Sequence, residues 1–246
     1  MEGTLLAVHI GAPQHYLTER GVLHTAIFKD PVAGPIALGS EGLEGDSVAD
    51  TVHHGGTDNA VLMYAAANYD RWQQEERDFP FGGFGENFVV SGMDENTVCL
   101  GDIFSIGDQV RVQVTQPRVP CEKLSLRWND PDLAVTVVHN LRTGWYIRIL
   151  QTGTVQAGTT VTLIERPHPD WPLTRAARIR FNSNLPIEEA QALAHIPELS
   201  QRWQEWAQRK LATVICEDGN SLCQGTDSSV PSASFGNPAL AAEGRN

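Results

Sequence analysis

The chain has 246 residues, 18 basic and 30 acidic, for a formal charge of −12. Only three of the basic residues are lysines (Lys29, Lys123 and Lys210), so there is no broad basic face for nucleic acid, and any anionic ligand must be held by a local cluster. No run approaches the roughly 18 apolar residues of a membrane span, and the first eight residues lack the basic, then apolar, layout of a signal peptide, so a cytoplasmic protein is expected.

In chain order, Thr4 to Ile10 reads as a strand and Thr25 to Phe28 as another. Ala60 to Tyr64 is short and apolar. Phe88 to Val90, Val98 to Leu100 and Phe104 to Ile106 are short strands separated by Gly and Asp turns. Val110 to Thr115 alternates Val-Arg-Val-Gln-Val-Thr, the two-residue period of a half-buried strand. Trp145 to Leu150 and Thr160 to Glu165 complete a set whose short lengths and frequent turns predict a mainly β fold, a closed or nearly closed barrel. Two helices interrupt it, Ala65 to Arg77 and Asp132 to Leu141.

The composition changes after Glu165. Three prolines in Arg166 to Pro172 exclude helix and central strand, so 166–172 is a linker after a barrel domain over 1–165. Leu173 to Arg180, Ile187 to His195 and Glu198 to Leu211 then have helical patterns, giving a three-helix unit over 173–216. Trp203 and Trp206 share one face of its last helix and are expected to pack. Residues 217–246, rich in Gly, Ser, Asn, Ala and Pro, are expected to be disordered.

Four segments carry polar chemistry. After the alternating strand come Gln116-Pro117-Arg118-Val119-Pro120-Cys121-Glu122-Lys123-Leu124. The prolines stiffen the corner, and Glu122 to Trp128 has helical character. Cys121 is thereby placed at a helix N-terminus between Arg118 and Lys123, a setting that favours an anionic sulfur, either a nucleophile or a soft-metal ligand; a buried structural cysteine is the alternative. In His53-His54-Gly55-Gly56 the glycines permit close backbone approach and an N–H nest for an anion, and the imidazoles are donors or metal ligands; a simple turn is the alternative. Phe81-Gly82-Gly83-Phe84-Gly85-Glu86-Asn87-Phe88 lacks a phosphate-loop lysine. There Glu86 and Asn87 either bond a ligand edge or cap the loop. Glu41 to Asp46 reads as a tight acidic turn. Cys99, Cys216 and Cys223 form no C-x-x-C pair with one another or with Cys121, which excludes a zinc ribbon or thioredoxin-like site.

Taken together and in this order, Gly42-Leu43-Glu44-Gly45-Asp46, His54-Gly55-Gly56, Ala60-Val61, Phe84-Gly85-Glu86-Asn87, Gly101-Asp102 and Gln116-Pro117-Arg118-x-Pro120-Cys121-x-Lys123-Leu124 resemble MOSC domains, most closely the YiiM-like subgroup. The resemblance spans about Thr4 to Glu165, and the helices beyond it resemble that subgroup's C-terminal helical domain. It implies a β-barrel associated with the molybdenum cofactor (molybdopterin), a cysteine ligand to molybdenum at Cys121, and reduction of N-hydroxylated compounds such as 6-hydroxylaminopurine. Such a reduction takes R–NHOH, two electrons and two protons to R–NH₂ and water. On that implication, His54, Gly55, Gly56, Arg118 and Lys123 are candidates for the cofactor phosphate, Glu86 and Asn87 for its pterin ring, and His53, His54 or Glu86 for proton delivery. With no dinucleotide-binding glycine pattern in the chain, electrons are expected from a separate flavoprotein or similar donor. A pyridoxal phosphate role is disfavoured, because the chain has no domain for that cofactor. A non-catalytic molybdopterin or sulfur carrier is the alternative from another class. A cysteine hydrolase built on Cys121 and a histidine has no supporting spacing.

Overall fold

The computed structural model describes residues 1–19, 21–50, 55–182 and 187–218, except for the side chains of 213–218. Its strands are β1 (Glu2–Ile10), β2 (Gln14–Thr18), β3 (Gly21–Thr25), β4 (Asp30–Pro31), β5 (Ile36–Gly39), β6 (Gly42–Leu43), β7 (Val61–Ala65), β8 (Phe88–Val90), β9 (Ile103–Ile106), β10 (Val110–Pro117), β11 (Trp145–Gln151), β12 (Gly153–Val155) and β13 (Thr160–Glu165). Its helices are α1 (Ala66–Gln74), α2 (Glu122–Trp128), α3 (Leu133–Asn140), α4 (Leu173–Phe181), α5 (Ile187–Ala194) and α6 (Gln201–Asp218).

Seven strands close a barrel in the order β1-β13-β9-β10-β11-β7-β8 and back to β1. All neighbours in this ring are antiparallel except β7 and β8, which are parallel and joined through α1 and the glycine-rich loop. Closure removes the free sheet edges that would otherwise need protection. The alternation in β10 does what its sequence foretells: Val110, Val112 and Val114 are buried, while Arg111 is exposed. They meet Phe88, Phe104, Ile106, Trp145 and Ile147 in the barrel interior. The same apolar cluster continues into Leu173, Ile179, Leu193 and Trp203 of the helical unit, so barrel and helices share one core. Trp203 is buried there, with Trp206 edge-on to it at 6.3 Å. A second cluster packs α1, α2 and α3 on the outside of the barrel through Tyr64, Tyr69, Trp72, Phe84, Leu124 and Val137.

Several expected boundaries move, each for a local reason. The strand predicted from Thr25 to Phe28 ends at Thr25, because the Thr25 hydroxyl accepts the Ile27 N–H at 3.1 Å and turns the chain. Phe28 then stacks on Tyr16 at 3.8 Å. Val98 to Leu100 is no strand. Its backbone makes a single bridge, Cys99 to Pro172, while the Cys99 N–H is taken by Asp102 and the Leu100 N–H by the Trp171 carbonyl. The proline-rich linker is correspondingly tied down, with Arg166 bidentate on Asp102 at 2.8 and 2.6 Å. Helix α6 starts at Gln201 rather than Glu198, since the Ser200 hydroxyl and N–H are committed to Gln116 and to the Thr115 carbonyl. It runs through Asp218, past the point where the composition predicts a disordered tail; 219–246 lie outside the described residues. The hairpin β2–β3 and the short strands β4, β5, β6 and β12 were not legible from periodicity, being too brief or too exposed to show one.

Gly144 shows how tightly the barrel end is built. It adopts φ 69°, its N–H bonds Glu95 at 2.7 Å and its carbonyl accepts the Arg118 N–H at 3.0 Å. A Cβ there would lie 2.5 Å from the Met63 carbonyl oxygen. Gly144→Ala is therefore expected to lose more than about 1 kcal/mol of stability in urea unfolding. Gly158→Ala, at φ 91° with open space around it, should lose clearly less.

Candidate functional site

The fold brings the Cys121 corner to the mouth of a cavity of about 410 Å³. Strand β10 ends at Pro117, which has no N–H to extend the ladder. The chain turns through Arg118 and the two residues after it, and Cys121 becomes the residue capping α2, in extended backbone at φ −120°. Its side chain is half-buried on the cavity wall, and Arg118 and Lys123 line the same space. Gly55 and Gly56 line it too, with consecutive positive φ values of 77° and 84°. Gly56 has open space where a Cβ would stand, so its backbone is approachable by a ligand. Of the residues chosen from sequence, the cavity therefore gathers Gly55, Gly56, Asn87, Arg118, Cys121 and Lys123. His53 and His54 lie outside the described residues.

Glu86 is placed elsewhere. It is fully buried and does not line the cavity. Its carboxylate accepts the Gly82 N–H at 2.6 Å, the Phe84 N–H at 3.0 Å and the Tyr69 hydroxyl. Burial raises its pKa against those donors, and burial likewise raises that of Tyr69, which keeps the phenol a proton donor to it. The carbonyls of the same loop are taken from the other side. Gly82 accepts from Arg127 at 2.7 Å, Gly83 from the Trp128 indole at 2.9 Å, and Phe84 from Arg118 at 2.5 Å. The glycine-rich loop is thus a platform under the Cys121 corner, fastened by Glu86 within and by α2 above. Its glycines serve this close packing: a Cβ on Gly83 would meet the Pro80 carbonyl at 2.6 Å. Arg127 also reaches the Ile27 carbonyl at 2.5 Å and lies over the Phe28 ring.

Asn87 lines the cavity with its amide already in use. It accepts from the Leu62 N–H and donates to the His9 carbonyl at 3.1 Å and to Asp46 at 2.9 Å. Its part is to hold Asp46, which also receives the Gly11 N–H at 2.7 Å and pairs with Lys29. Lys29 and Asp46 both line the cavity, with side chains only 8% and 10% exposed. Burial lowers the Lys29 pKa, opposed by Asp46. Sequence reasoning missed this pair: Asp46 looked like part of an acidic turn, and Lys29 had no motif around it. Lys29 is committed to its carboxylate rather than presented as a free amine. Two further lining residues went unread, Tyr146 and Asn59. Burial raises the Tyr146 pKa, so its phenol stays protonated. The Asn59 Oδ1 is buried with no hydrogen-bond donor among the described residues.

The helical unit contributes to the shape of this wall. The short helical turn Thr57–Asn59 is pinned by Gln201, whose N–H bonds Asp58 at 3.0 Å, by Arg148 on the same carboxylate at 2.8 Å, and by the Thr115 hydroxyl on the Asp58 carbonyl.

Comparisons with known proteins agree with this architecture. A family model described as the MOSC domain matches residues 50–162, and one described as the YiiM-like 3-alpha helix domain matches 171–214. The chain is 34% identical over 181 residues to a protein named "Reductase" of Gibberella moniliformis; the match covers 72% of this chain but 32% of that protein, so the chain spans about a third of its length. It is 32% identical over 198 residues to protein YiiM of Escherichia coli, covering 79% of this chain and 88% of that one. The crystal structure of YiiM from Geobacillus stearothermophilus superposes with a TM-score of 0.72 at 30% identity, over 85% of this chain and 99% of that chain. No helix among the described residues is long and apolar enough to cross a membrane.

The buried Glu86 has a measurable consequence. Its pKa is higher folded than unfolded, so between its ordinary value near 4.5 and its folded value the native state holds the proton that the unfolded state has lost. Its contribution to stability therefore falls as pH rises through that window. In urea unfolding at a series of pH values, the stability of wild type relative to Glu86→Gln should be fully present at and below about pH 4.5 and fall as pH rises above it.

Proposed function

Because the chain belongs to the MOSC family and carries the helical domain of its YiiM-like branch, we propose that it is a molybdenum-cofactor-dependent oxidoreductase that reduces N-hydroxylated compounds, of the hydroxylaminopurine type, to the amines. The observation that carries this reading is that Cys121 lines a cavity of about 410 Å³ together with Arg118, Lys123, Gly55 and Gly56.

The residues fit such a cofactor. A soft thiolate suits high-valent molybdenum already held in a dithiolene chelate, and Cys121 offers that one donor. The cofactor's phosphate is met by the N–H groups of Gly55 and Gly56 and by the cations of Arg118 and Lys123. Its pterin N–H groups would have an acceptor in the Asn59 Oδ1, an oxygen with no donor among the described residues. When bound, the molybdenum centre supplies the two-electron redox chemistry that no side chain here provides.

The chain's own residues bind, orient and supply protons. Arg118, anchored through the Phe84 carbonyl, cannot swing away from Cys121. Proton delivery does not fall to Glu86, whose oxygens are turned into the glycine-rich loop. Among the described residues, Lys29, Lys123 and Tyr146 line the cavity and carry protons that could be delivered there. Burial lowers the Lys29 pKa while Asp46 keeps the ammonium in place, which suits Lys29 to give up a proton. Electrons come from a separate flavoprotein or similar reductant.

Metal analysis tests this. Wild type and Cys121→Ser, both expressed in a host that makes molybdopterin, should differ at least tenfold in bound molybdenum with the same thermal unfolding. Turnover of 6-hydroxylaminopurine with an artificial electron donor should follow the metal. Absence of molybdenum from the wild type would overturn the assignment. Bound cofactor with no turnover of any N-hydroxylated compound would make the protein a carrier.

A further inference from the structure

On the side of the molecule where the barrel meets the helical unit lies a second cavity, of about 230 Å³, that shares no lining residue with the Cys121 cavity. Three guanidinium groups from three separate elements line it: Arg71 from the last turn of α1, Arg142 from the loop after α3, and Arg178 from α4. Like charges gathered at one cavity repel unless anions lie among them.

Arg71 and Arg142 each pair with a carboxylate, and Arg178 has none among the described residues. Arg71 is taken up by Asp94 and the Asn68 carbonyl oxygen, both at 2.8 Å. Arg142 gives Nη2 to Glu75 at 2.5 Å and lies over the Trp72 ring at 4.8 Å, which fixes its plane. Its Nη1 is buried and has no acceptor among the described residues. Glu95 also lines the cavity, but its two oxygens face the Asn68 amide and the Gly144 N–H, and neither accepts from an arginine. Arg178 is exposed at the rim, and no carboxylate pairs with it among the described residues. The residue before Arg142 is Leu141, whose left-handed backbone at φ 60° ends α3.

We propose that this seam is a binding site for a small tetrahedral oxyanion, a phosphate group, with Arg142 and Arg178 as its principal donors and Arg71 completing the positive wall. Planar guanidinium forks suit the paired oxygens of phosphate. Because its donors come from both the barrel and the helical unit, the bound anion clamps the two together. The ligand is inorganic phosphate or the phosphate of a small metabolite, and the two sources share this chemistry.

Inorganic phosphate and, separately, a simple sugar phosphate are titrated calorimetrically into the full chain, with chloride at matched ionic strength as the blank. Since Arg118 and Lys123 also attract anions, the titration is repeated in Lys123→Gln. The expected result is binding that survives Lys123→Gln, weakens at least tenfold in Arg178→Gln, and is partly kept in Arg178→Lys, which retains the charge without the fork. In the Lys123→Gln background, phosphate should also raise the unfolding temperature, and it should not do so once Arg178→Gln is added. Arg178 is exposed, so the unliganded melting curve of the variant should match wild type. Tighter binding of the sugar phosphate marks a metabolite as the ligand, and equal binding marks the free ion. Phosphate binding no stronger than chloride, binding unchanged in Arg178→Gln, or binding abolished by Lys123→Gln would each overturn the proposal.

Discussion

The site depends on the clamping of one glycine-rich loop. Between residues 81 and 85 the backbone is too tight for side chains at Gly83, and its polar groups are accounted for on both sides. Glu86 takes the N–H groups from within, and Arg118, Arg127 and Trp128 take the carbonyls from above. A buried carboxylate is costly unless its lone pairs are filled. Here the cost is offset by three donors, and the return is a rigid bed for α2. Cys121 stands at the first cap of that helix, so the position of its sulfur follows from hydrogen bonds made several residues away.

The same logic orders the Asp46 part of the cavity lining. Asn87 and the Gly11 N–H hold Asp46, Asp46 holds Lys29, and the barrel closes around them. An ion pair buried this far adds little to folding by itself, yet it keeps a charged nitrogen and a carboxylate on a cavity wall where a ligand must meet them. The cavity lining is therefore polar while the molecule as a whole is acidic.

The helical unit belongs to this arrangement rather than hanging from it. Its apolar residues join the barrel core, and its helix α6 bonds the turn that shapes the Gly55–Gly56 wall. Changes in the helices have a direct mechanical route to the cavity through Asp58, and the linker bound at Asp102 and Cys99 closes the other end of the seam.

The sequence by itself determined the elements with strong periods and the residues with distinctive local chemistry. The alternation of β10, the amphipathic helices and the proline-framed cysteine are local properties, set by two-residue and 3.6-residue repeats and by the fixed φ of proline. Gly55, Gly56, Arg118 and Lys123 could be chosen for the same reason, since their neighbours in the chain advertise them. Tertiary structure alone decided the roles of Glu86, Asn87, Lys29, Asp46 and Asn59. A carboxylate in a glycine-rich stretch reads equally as a ligand to something bound or as a staple for its own loop, and only the approach of Tyr69 from α1 and of Arg127 from α2 resolves it. Lys29 and Asp46 stand seventeen positions apart, with nothing in either neighbourhood to announce the other. Their meeting depends on where Gly11 and Asn87 hold Asp46, and no local pattern encodes a contact set by such distant partners.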